Sequence, residues 1–391
     1  MSSAKNVAPT ALQFQGYLRP TGLVGTRNYI GVLVTVNCAA TAARHLAEWY
    51  TPERLKAYPN IDGVVPFIHE LGCGMEKSGE PMDLLRRSLG GSIRNPNLAG
   101  AVVLGLGCER NNLYAFLEQE GFSTGPLLHS IVLQEVGGTA NAISQGKAAI
   151  DSMLPLANAT PRSTQPLKGL RVGLLLQTHR ALPEPVAQAL AQAIDALVDQ
   201  GGTVVLTDTP RLGPVLQSVA SSPQVQSHIG QRLQWWDSYT AGRDTAVKPL
   251  SSVVAALPIR SRVQSVIGYG HEITQPGVVM MDGPGYEAVA ATGQFASGVQ
   301  LICVVSDEGS VFGANGAPTV KLATHHDLYA RMPDDFDLDA GLTSAEPQAV
   351  QALAQRILQR WIEHAGGRQT CSEDLGVGQD EFVPWPIGVM S

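Results

Sequence analysis

The sequence has no long apolar run, no block of like charges and few aromatic residues, which make up 6% of its 391 positions. The longest apolar stretches, at 31–36 and 101–106, are far shorter than the roughly 20 residues that a membrane-spanning helix needs, so we expect no membrane segment. The net charge is −7 at pH 7. Without a basic tract to hold a phosphate backbone, we expect no nucleic-acid partner.

Cysteine is also scarce, with five residues in the chain. The first ten residues lack the apolar core of a secretory signal peptide, so we expect a cytoplasmic protein. In that compartment cysteines are thiols or metal ligands and do not build a disulfide framework. The composition, with 44% hydrophobic and 16% charged residues, indicates a globular chain of about two domains at roughly 150 residues each.

Glycine and proline, by contrast, are abundant, with 41 and 25 residues. Together with apolar runs that alternate with amphipathic stretches, they indicate short turns between β and α units. Uniformly apolar runs are typical of parallel strands that are buried on both faces. We therefore predict an α/β protein with two parallel-sheet domains, at 1–153 and 167–391, joined by a linker rich in Pro, Ser and Thr at 154–166.

The same patterns predict the individual elements. Strands are expected at 30–36, 64–68, 101–106, 170–176, 203–207, 263–267, 277–281, 300–305 and 319–323, and helices at 39–50, 81–89, 112–120, 185–199 and 345–364.

Three cysteines occupy equivalent places in this pattern. Cys38, Cys73 and Cys108 follow one another at intervals of 35 residues, and each lies just beyond the carboxyl end of a predicted strand. Ligands of open parallel sheets bind outside the carboxyl ends of the strands, so these thiols are candidates to converge there. Thiolates suit iron–sulfur clusters or zinc. The alternative is three unrelated buried cysteines, because free cysteine packs as a small hydrophobe.

A thiol nucleophile is another interpretation of the same region. Cys108 beside Glu109, with His69 as its base, would resemble a hydrolase site, although this explains one cysteine of the three. Cys303 lies inside an apolar run and is expected in the core, and Cys371 is expected to have no role in the site. A dinucleotide-binding loop at 105–110 is excluded, because Arg110 stands where the third glycine is required.

A second polar and glycine-rich group follows later strands, at 282–285 and 307–313. Turns of this kind bind carboxylates through backbone N–H groups, and Ser310 and Lys321 are candidate side-chain donors to a small acidic ligand. The alternative is a set of ordinary surface turns beside a solvated lysine.

Five segments together resemble the altronate and galactarate dehydratase family. They read GYLRPTGLVGTRNYIGVLVTVNCAA at 16–40, HELGCG at 69–74, NPNLAGAVVLGLGCE at 95–109, MDGPGYEAVAATGQFASGVQLI at 281–302 and GSVFGANGAPTVK at 309–321. The resemblance implies an iron-dependent hydro-lyase that removes water from an acidic sugar, and a Rossmann-like second domain. It also extends to the large subunit of sulfolactate sulfo-lyase, which removes sulfite from a 2-hydroxy acid.

The resemblance assigns roles to particular residues. Iron, alone or as an iron–sulfur cluster, would be held by Cys38, Cys73 and Cys108. His69 and Glu109 would act as the base or support the metal ligands. The remaining candidates are substrate-binding residues, with Arg27 expected to pair with the substrate carboxylate: Arg27, Asn28, Asn37, Ser310 and Lys321.

The resemblance also bears on partners and on the type of reaction. Typical dehydratases of the family begin with a small domain of the SAF type, so we expect a separate small partner chain here, and we also expect a homo-oligomer. Three polar residues of the family's second half are replaced by His179, Leu182 and Ala187. These changes leave three functions open: a dehydratase for a different acid, a sulfo-lyase large subunit, and a metal-binding scaffold without activity.

Overall fold

The computed structural model describes residues 12–242 and 257–388 of the chain, arranged as three β-sheets with flanking helices. The strands are β1 Gln13–Leu18, β2 Val24–Gly25, β3 Tyr29–Val34, β4 Gly63–Phe67, β5 Leu98–Gly105, β6 Leu128–Val132, β7 Ser163–Pro166, β8 Arg171–Gln177, β9 Thr203–Leu206, β10 Val263–Ile267, β11 Gly277–Met281, β12 Leu301–Ser306, β13 Thr319–Ala323 and β14 Leu338–Asp339. The helices are α1 Ala40–Trp49, α2 Pro52–Leu55, α3 Glu80–Arg94, α4 Leu113–Gln119, α5 Thr139–Asn158, α6 Glu184–Asp199, α7 Thr209–Ser218, α8 Pro223–Thr240, α9 Glu287–Ala296, α10 His326–Arg331, α11 Pro347–Ala365 and α12 Cys371–Asp374, with 3₁₀ turns at Asn37–Ala39 and Leu167–Gly169. None of the helices in these two ranges combines the length and the hydropathy needed to cross a bilayer.

Two of the sheets are parallel throughout, which confirms the predicted α/β class. The first has the order β4-β3-β5-β6 and the second the order β10-β11-β9-β8-β12-β13-β14. In the second sheet β9 and β12 lie on opposite sides of β8, so the chain winds outward from β8 in both directions. This is the doubly wound, Rossmann-like arrangement, in which ligands bind beyond the carboxyl ends of the strands.

The third sheet was not predicted. It is antiparallel, with the order β2-β1-β7, and it pairs Gln13 with Pro166 and Gly16 with Ser163. Consequently the stretch 154–166, which we predicted as a linker, contains the end of α5 and the whole of β7. Its Pro, Ser and Thr residues suit a short edge strand as well as a linker, and its partner strand lies about 150 residues away, beyond the reach of local patterns.

The helices cover the parallel sheets in layers. Helices α1 and α5 pack with one face of the first sheet, and α6 and α11 pack with the outer face of the second. Helices α3 and α9 lie between the two sheets, where Phe67 and Leu85 share one apolar core with Val289, Phe295 and Trp385. Burial of such side chains is the main favourable contribution to folding, so the two halves stabilise one another.

Helices α3 and α9 pack against one another. Near their carboxyl ends a side chain at Gly91 would overlap the Ala296 carbonyl oxygen, and Asn95 Nδ2 donates to the carbonyls of Phe295 (2.7 Å) and Val299 (2.8 Å). Helix α3 follows β4 and α9 follows β11, so each helix begins at the carboxyl edge of its sheet. The carboxyl end of each of these strands therefore leads into the helix layer that the two sheets share.

Candidate functional site

The three cysteines lie at the carboxyl ends of three neighbouring strands. Cys38 follows β3 in the 3₁₀ turn, Cys73 follows β4, and Cys108 follows β5, in a sheet where β3 lies between the other two. All three thiols are free and exposed. They are not the buried hydrophobes of the alternative interpretation, whereas Cys303 is buried in the core as expected.

Hydrogen bonds tie the three loops to one another. The Asn37 amide donates to the Leu71 carbonyl (3.1 Å), and the Asn111 amide donates to the Gly72 carbonyl (3.0 Å). The Asn111 side chain in turn donates from Nδ2 to the Thr35 carbonyl (3.1 Å). Since Asn111 follows Cys108, Gly72 precedes Cys73 and Thr35 lies near Cys38, the loops that carry the thiols form one connected edge.

The donor chemistry of this edge fits a soft metal, because thiolates are the ligands that iron–sulfur clusters and zinc prefer. Within residues 12–242 and 257–388, however, no three His, Cys, Asp or Glu side chains are already grouped closely enough to hold a metal ion. Binding would require the exposed thiols to turn toward one another on their loops. The metal-ligand role of the three cysteines therefore stays a prediction.

His69 lies buried beneath these loops, with both ring nitrogens bonded to the backbone. Nε2 lies 2.9 Å from the Val34 carbonyl oxygen, and Nδ1 accepts a hydrogen bond from the Leu71 amide at 3.1 Å. Because Nδ1 accepts, Nε2 carries the proton of a neutral ring. Burial lowers the pKa of His69 to about 4. With both ring nitrogens bonded to the backbone, His69 positions the Cys73 loop, which fits the supporting role of the two roles predicted for it.

The buried imidazole makes stability depend on pH. The unfolded chain binds a proton at His69 near pH 6.5, whereas the folded chain does so only near pH 4, so this contribution is present above pH 6.5 and is lost as the pH falls toward 4. We expect it to lower the free energy of unfolding by about 3 kcal/mol over that range. Urea titrations at pH 7 and pH 4.5 should show a weaker pH dependence for His69→Gln. An unchanged dependence in His69→Gln, with the exposed His45→Gln as the control, would contradict this role.

Glu109 is a second buried support and not an open base. Its Oε1 accepts from the Thr35 hydroxyl at 3.2 Å, and its Oε2 accepts from the Gly107 amide. Gly107 has a φ of +122°, a conformation that favours glycine. Both carboxylate oxygens are thus used to hold the turn that presents Cys108, which leaves Glu109 as a positioning residue.

Arg27 does not face this edge, contrary to the predicted pairing with a substrate carboxylate. Its Nε and Nη2 donate to the two oxygens of Glu373, both at 2.7 Å. The other N–H groups donate to the carbonyls of Thr26, His364 and Arg368. All five donors are satisfied inside the protein, so Arg27 is a structural residue. A buried ion pair and a carboxylate-binding site require the same guanidinium, and the sequence does not distinguish them.

The two candidate asparagines differ from one another. Asn28 is buried and donates from Nδ2 to the carbonyls of Asn60 (2.6 Å) and Ala157 (3.1 Å), so it is structural. Asn37 is exposed beside Cys38, and its Nδ2 makes one long contact, 3.4 Å, with the His69 carbonyl. Of the two, Asn37 is the side chain that remains accessible at the edge.

Ser310 follows β12 at the carboxyl edge of the second sheet, and Lys321 lies in the middle of β13. Both interact with Glu287, the first residue of α9. Ser310 donates from Oγ to Glu287 Oε2 at 3.0 Å. The Lys321 side chain is fully buried, and its Nζ lies 3.7 Å from Asp335 Oδ1. The lysine is therefore neither the solvated residue of the alternative interpretation nor an open donor to a ligand.

The carboxyl-terminal segment connects the two edges. Asp380 pairs with Arg44 of α1 at 2.9 Å, and the Phe382 ring centre lies 5.3 Å from that of Phe67 and 6.4 Å from that of His69. Between them lies Glu381, whose carboxylate is influenced by Lys321. Neither Glu381 nor Glu287 is predicted from the sequence. The helix start after 282–285 is the available signal for Glu287, but it equally fits a site built from backbone N–H groups.

Three exposed thiols follow neighbouring strands of one parallel sheet, and a carboxyl–hydroxyl pair lies beside the other, in an α/β protein whose two halves each contain a parallel sheet. Family models place it more narrowly. The second domain of D-galactarate dehydratase/altronate hydrolase matches residues 16–158, and the carboxyl-terminal domain of D-galactarate/altronate dehydratase matches residues 257–390. The chain belongs to this family and is a hydro-lyase of the altronate/galactarate dehydratase type, which confirms the resemblance seen in the sequence.

Individual relatives agree with this family. Altronate dehydratase of Escherichia coli (strain K12) is 27% identical over 381 residues, which cover 92% of this chain and 75% of that protein. Galactarate dehydratase (L-threo-forming) of the same strain is 26% identical over 96% of this chain and 77% of its own length. The (2R)-sulfolactate sulfo-lyase subunit beta of Chromohalobacter salexigens is 24% identical over 95% of this chain and 96% of that subunit.

Proposed function

We propose that this chain removes water from a 2-hydroxy or sugar acid, using iron held by Cys38, Cys73 and Cys108. The observation that carries the proposal is the set of three exposed thiols on connected, neighbouring strand ends in a member of a dehydratase family. The relatives named for altronate and galactarate act on acidic sugars, which supports the substrate class.

Elimination of water next to a carboxylate requires a proton acceptor and an electrophile for the departing hydroxyl. Iron, when bound, supplies that electrophile. The chain's own residues hold the thiols in place: His69 fixes the Cys73 loop to β3, and Glu109 fixes the Cys108 turn. Asn37 is exposed beside Cys38, and we assign it to the substrate.

A sulfo-lyase is the second candidate function. It is favoured by the similarity to the (2R)-sulfolactate sulfo-lyase subunit beta, which extends over 95% of this chain. The name of that relative makes it one subunit of an assembly, and a small SAF-type partner subunit is part of our proposal for this chain. Three exposed free thiols favour the reducing cytoplasm. The homo-oligomer stays a prediction.

Metal analysis of anaerobically purified protein tests the ligand set. We expect iron in the parent chain, with or without acid-labile sulfide, and at least a tenfold loss of iron in a variant that replaces Cys38, Cys73 and Cys108 by Ser, because a hydroxyl is a poor ligand for iron of this type. Cys371→Ser is the matched control, since that thiol lies outside the three loops and should leave iron unchanged. Equal iron in the parent and the triple variant would refute the ligand set.

The activity test uses the same preparations with a panel of aldonates, aldarates and sulfolactate. Formation of a 2-keto-3-deoxy acid supports the dehydratase, and release of sulfite supports the sulfo-lyase. Iron without turnover on any of these acids, even with a small partner subunit added, would show a metal-binding scaffold. Activity in metal-free protein that thiol labelling abolishes would instead favour a Cys108 hydrolase.

A further inference from the structure

The proposed dehydration leaves its proton-transfer group unassigned, and this inference rests on that function. Both ring nitrogens of His69 and both carboxylate oxygens of Glu109 are bonded inside the protein. A general base must present a free atom to the proton that it removes. The group has to come from another part of the protein. The carboxyl-terminal segment leads from this edge, where Phe382 lies beside His69, to Glu381, which interacts electrostatically with Glu287 of the second half.

Glu287 has the required accessibility. It is half-buried at the start of α9, and its Oε2 accepts from the Ser310 hydroxyl at 3.0 Å. Ser310 Oγ itself accepts from the Phe312 amide at 3.2 Å, which fixes the direction of the hydroxyl. In the described ranges Ser310 is the one hydrogen-bond partner of Glu287, so the second oxygen, Oε1, is open.

Two buried polar atoms near Glu287 have no hydrogen-bond partner among residues 12–242 and 257–388. They are Oε2 of Glu381 and Nζ of Lys321, whose side chain is 0% exposed and whose ion-pair partner, Asp335 Oδ1, lies at 3.7 Å, beyond hydrogen-bond distance. Both residues interact electrostatically with Glu287. Buried polar atoms without partners are costly to fold and call for a functional explanation. The buried Lys321 ammonium and Glu381 carboxylate, beside the open carboxylate of Glu287, indicate a site that binds a charged ligand or transfers protons.

We propose that Glu287 is the proton-transfer residue of the elimination, oriented by Ser310 and with its charge set by Lys321 and Glu381. The Glu287 carboxylate takes the proton from the carbon next to the substrate carboxylate. The electron pair of that C–H bond becomes the carbon–carbon double bond as the C–O bond to the neighbouring hydroxyl breaks. Glu287 returns the proton to the departing hydroxide, which leaves as water, and the enol tautomerises to the 2-keto acid.

The charges around Glu287 suit a group that takes up and releases a proton. Burial raises the pKa of Glu287 above its ordinary value, and the Glu381 carboxylate raises it further, whereas Ser310 and Lys321 oppose the shift. Burial likewise raises the pKa of Glu381 and lowers that of Lys321. The other titratable groups that act on this lysine are Asp335, Asp337 and Cys371. A carboxyl pKa raised toward the working pH makes proton transfer more efficient.

The test compares the iron-loaded parent with Glu287→Gln and Glu287→Asp. We expect Glu287→Gln to lower kcat by about 100-fold or more while iron content and the melting temperature stay as in the parent. It should also stop the exchange of the substrate's α-hydrogen with deuterium from solvent, a readout that a purely structural role would leave intact. Glu287→Asp keeps a carboxylate and should recover part of the rate. Ser310→Ala should shift the acidic limb of the kcat–pH profile upward, since Ser310 favours the ionised form.

The outcomes separate this inference from the proposed function. Full activity and full exchange in Glu287→Gln, beside an active parent, would overturn the role of Glu287 and leave the dehydratase standing. A parent with no turnover on any acid would overturn both. Loss of activity together with loss of folding in Glu287→Gln would count against the proposal if Glu287→Asp, folded as the parent, showed no recovery of rate.

Discussion

Arg27→Met is expected to lower the free energy of unfolding by about 3–5 kcal/mol, the cost of leaving one partner of a buried ion pair uncompensated. The Glu373 carboxylate that Arg27 binds at two points is nearly buried, and Arg27 holds its pKa below the ordinary value. The substitution also removes the donors to the Thr26, His364 and Arg368 carbonyls. Urea or thermal denaturation of the purified variant measures the loss.

Two further variants make this prediction specific. Arg44→Met breaks the pair with Asp380, in which both side chains are substantially exposed, and should cost less than about 1 kcal/mol. Arg27→Met combined with Glu373→Met removes both buried charges and should be more stable than Arg27→Met alone. If the Arg27→Met protein were as stable as the parent but had a raised KM, the result would contradict the structural role of Arg27 and support its role in substrate binding.

Replacing Asn97 by leucine is expected to cost about 4 kcal/mol. The buried amide accepts from the Thr26 amide (2.8 Å) and donates to the carbonyls of Gln300 (3.0 Å) and Gly316 (2.9 Å). Leucine has a similar size but leaves the Thr26 amide and the Gly316 carbonyl without a partner, at about 1–3 kcal/mol each. The Gln300 carbonyl keeps its hydrogen bond from the Thr26 hydroxyl at 2.6 Å. Chemical denaturation gives the loss directly. Because two of the groups that Asn97 binds belong to the second half of the chain, a proteolysis assay should also show a loosened contact between the halves.

Asn112 provides the matched comparison for Asn97. It caps α4 by accepting from the Ala115 amide at 3.2 Å, and Asn112→Ala should cost about 1 kcal/mol, as the loss of a single helix cap does. If Asn97→Leu were no more destabilising than Asn112→Ala, the hydrogen bonds of Asn97 would not be what joins the two halves.

The sequence predicts well those features that local patterns determine. Strands β10, β11 and β13 have the predicted bounds, because uniformly apolar runs between turns leave little choice of length. The strand-end positions of Cys38, Cys73 and Cys108 follow from the same runs. These positions depend only on the local order of strands and turns, and not on contacts between residues that are distant in the chain.

The sequence does not show which residues contact each other when they are far apart in the chain. Arg27 and Glu373 are separated by 346 positions, and no local signal at either residue identifies the other. His69 is a similar case. In the sequence it precedes a glycine-rich turn, as a catalytic base can, and only the folded structure shows that its ring is buried and bonded to the Val34 carbonyl. Tertiary contacts determine whether such a residue is reactive or structural.

The pairing of β1 with β7 has a consequence for how this protein can evolve by recombination. The chain leaves the antiparallel sheet after Gly25, which pairs with Tyr17, and returns to it at Ser163, which pairs with Gly16. The two ends of the intervening segment therefore lie close together, on either side of β1. Segments with adjacent ends can be exchanged, duplicated or inserted elsewhere without stretching the host chain. Recombination at these two points would transfer Cys38, Cys73 and Cys108 together as one segment, while Glu287 and the second sheet would stay in the original chain.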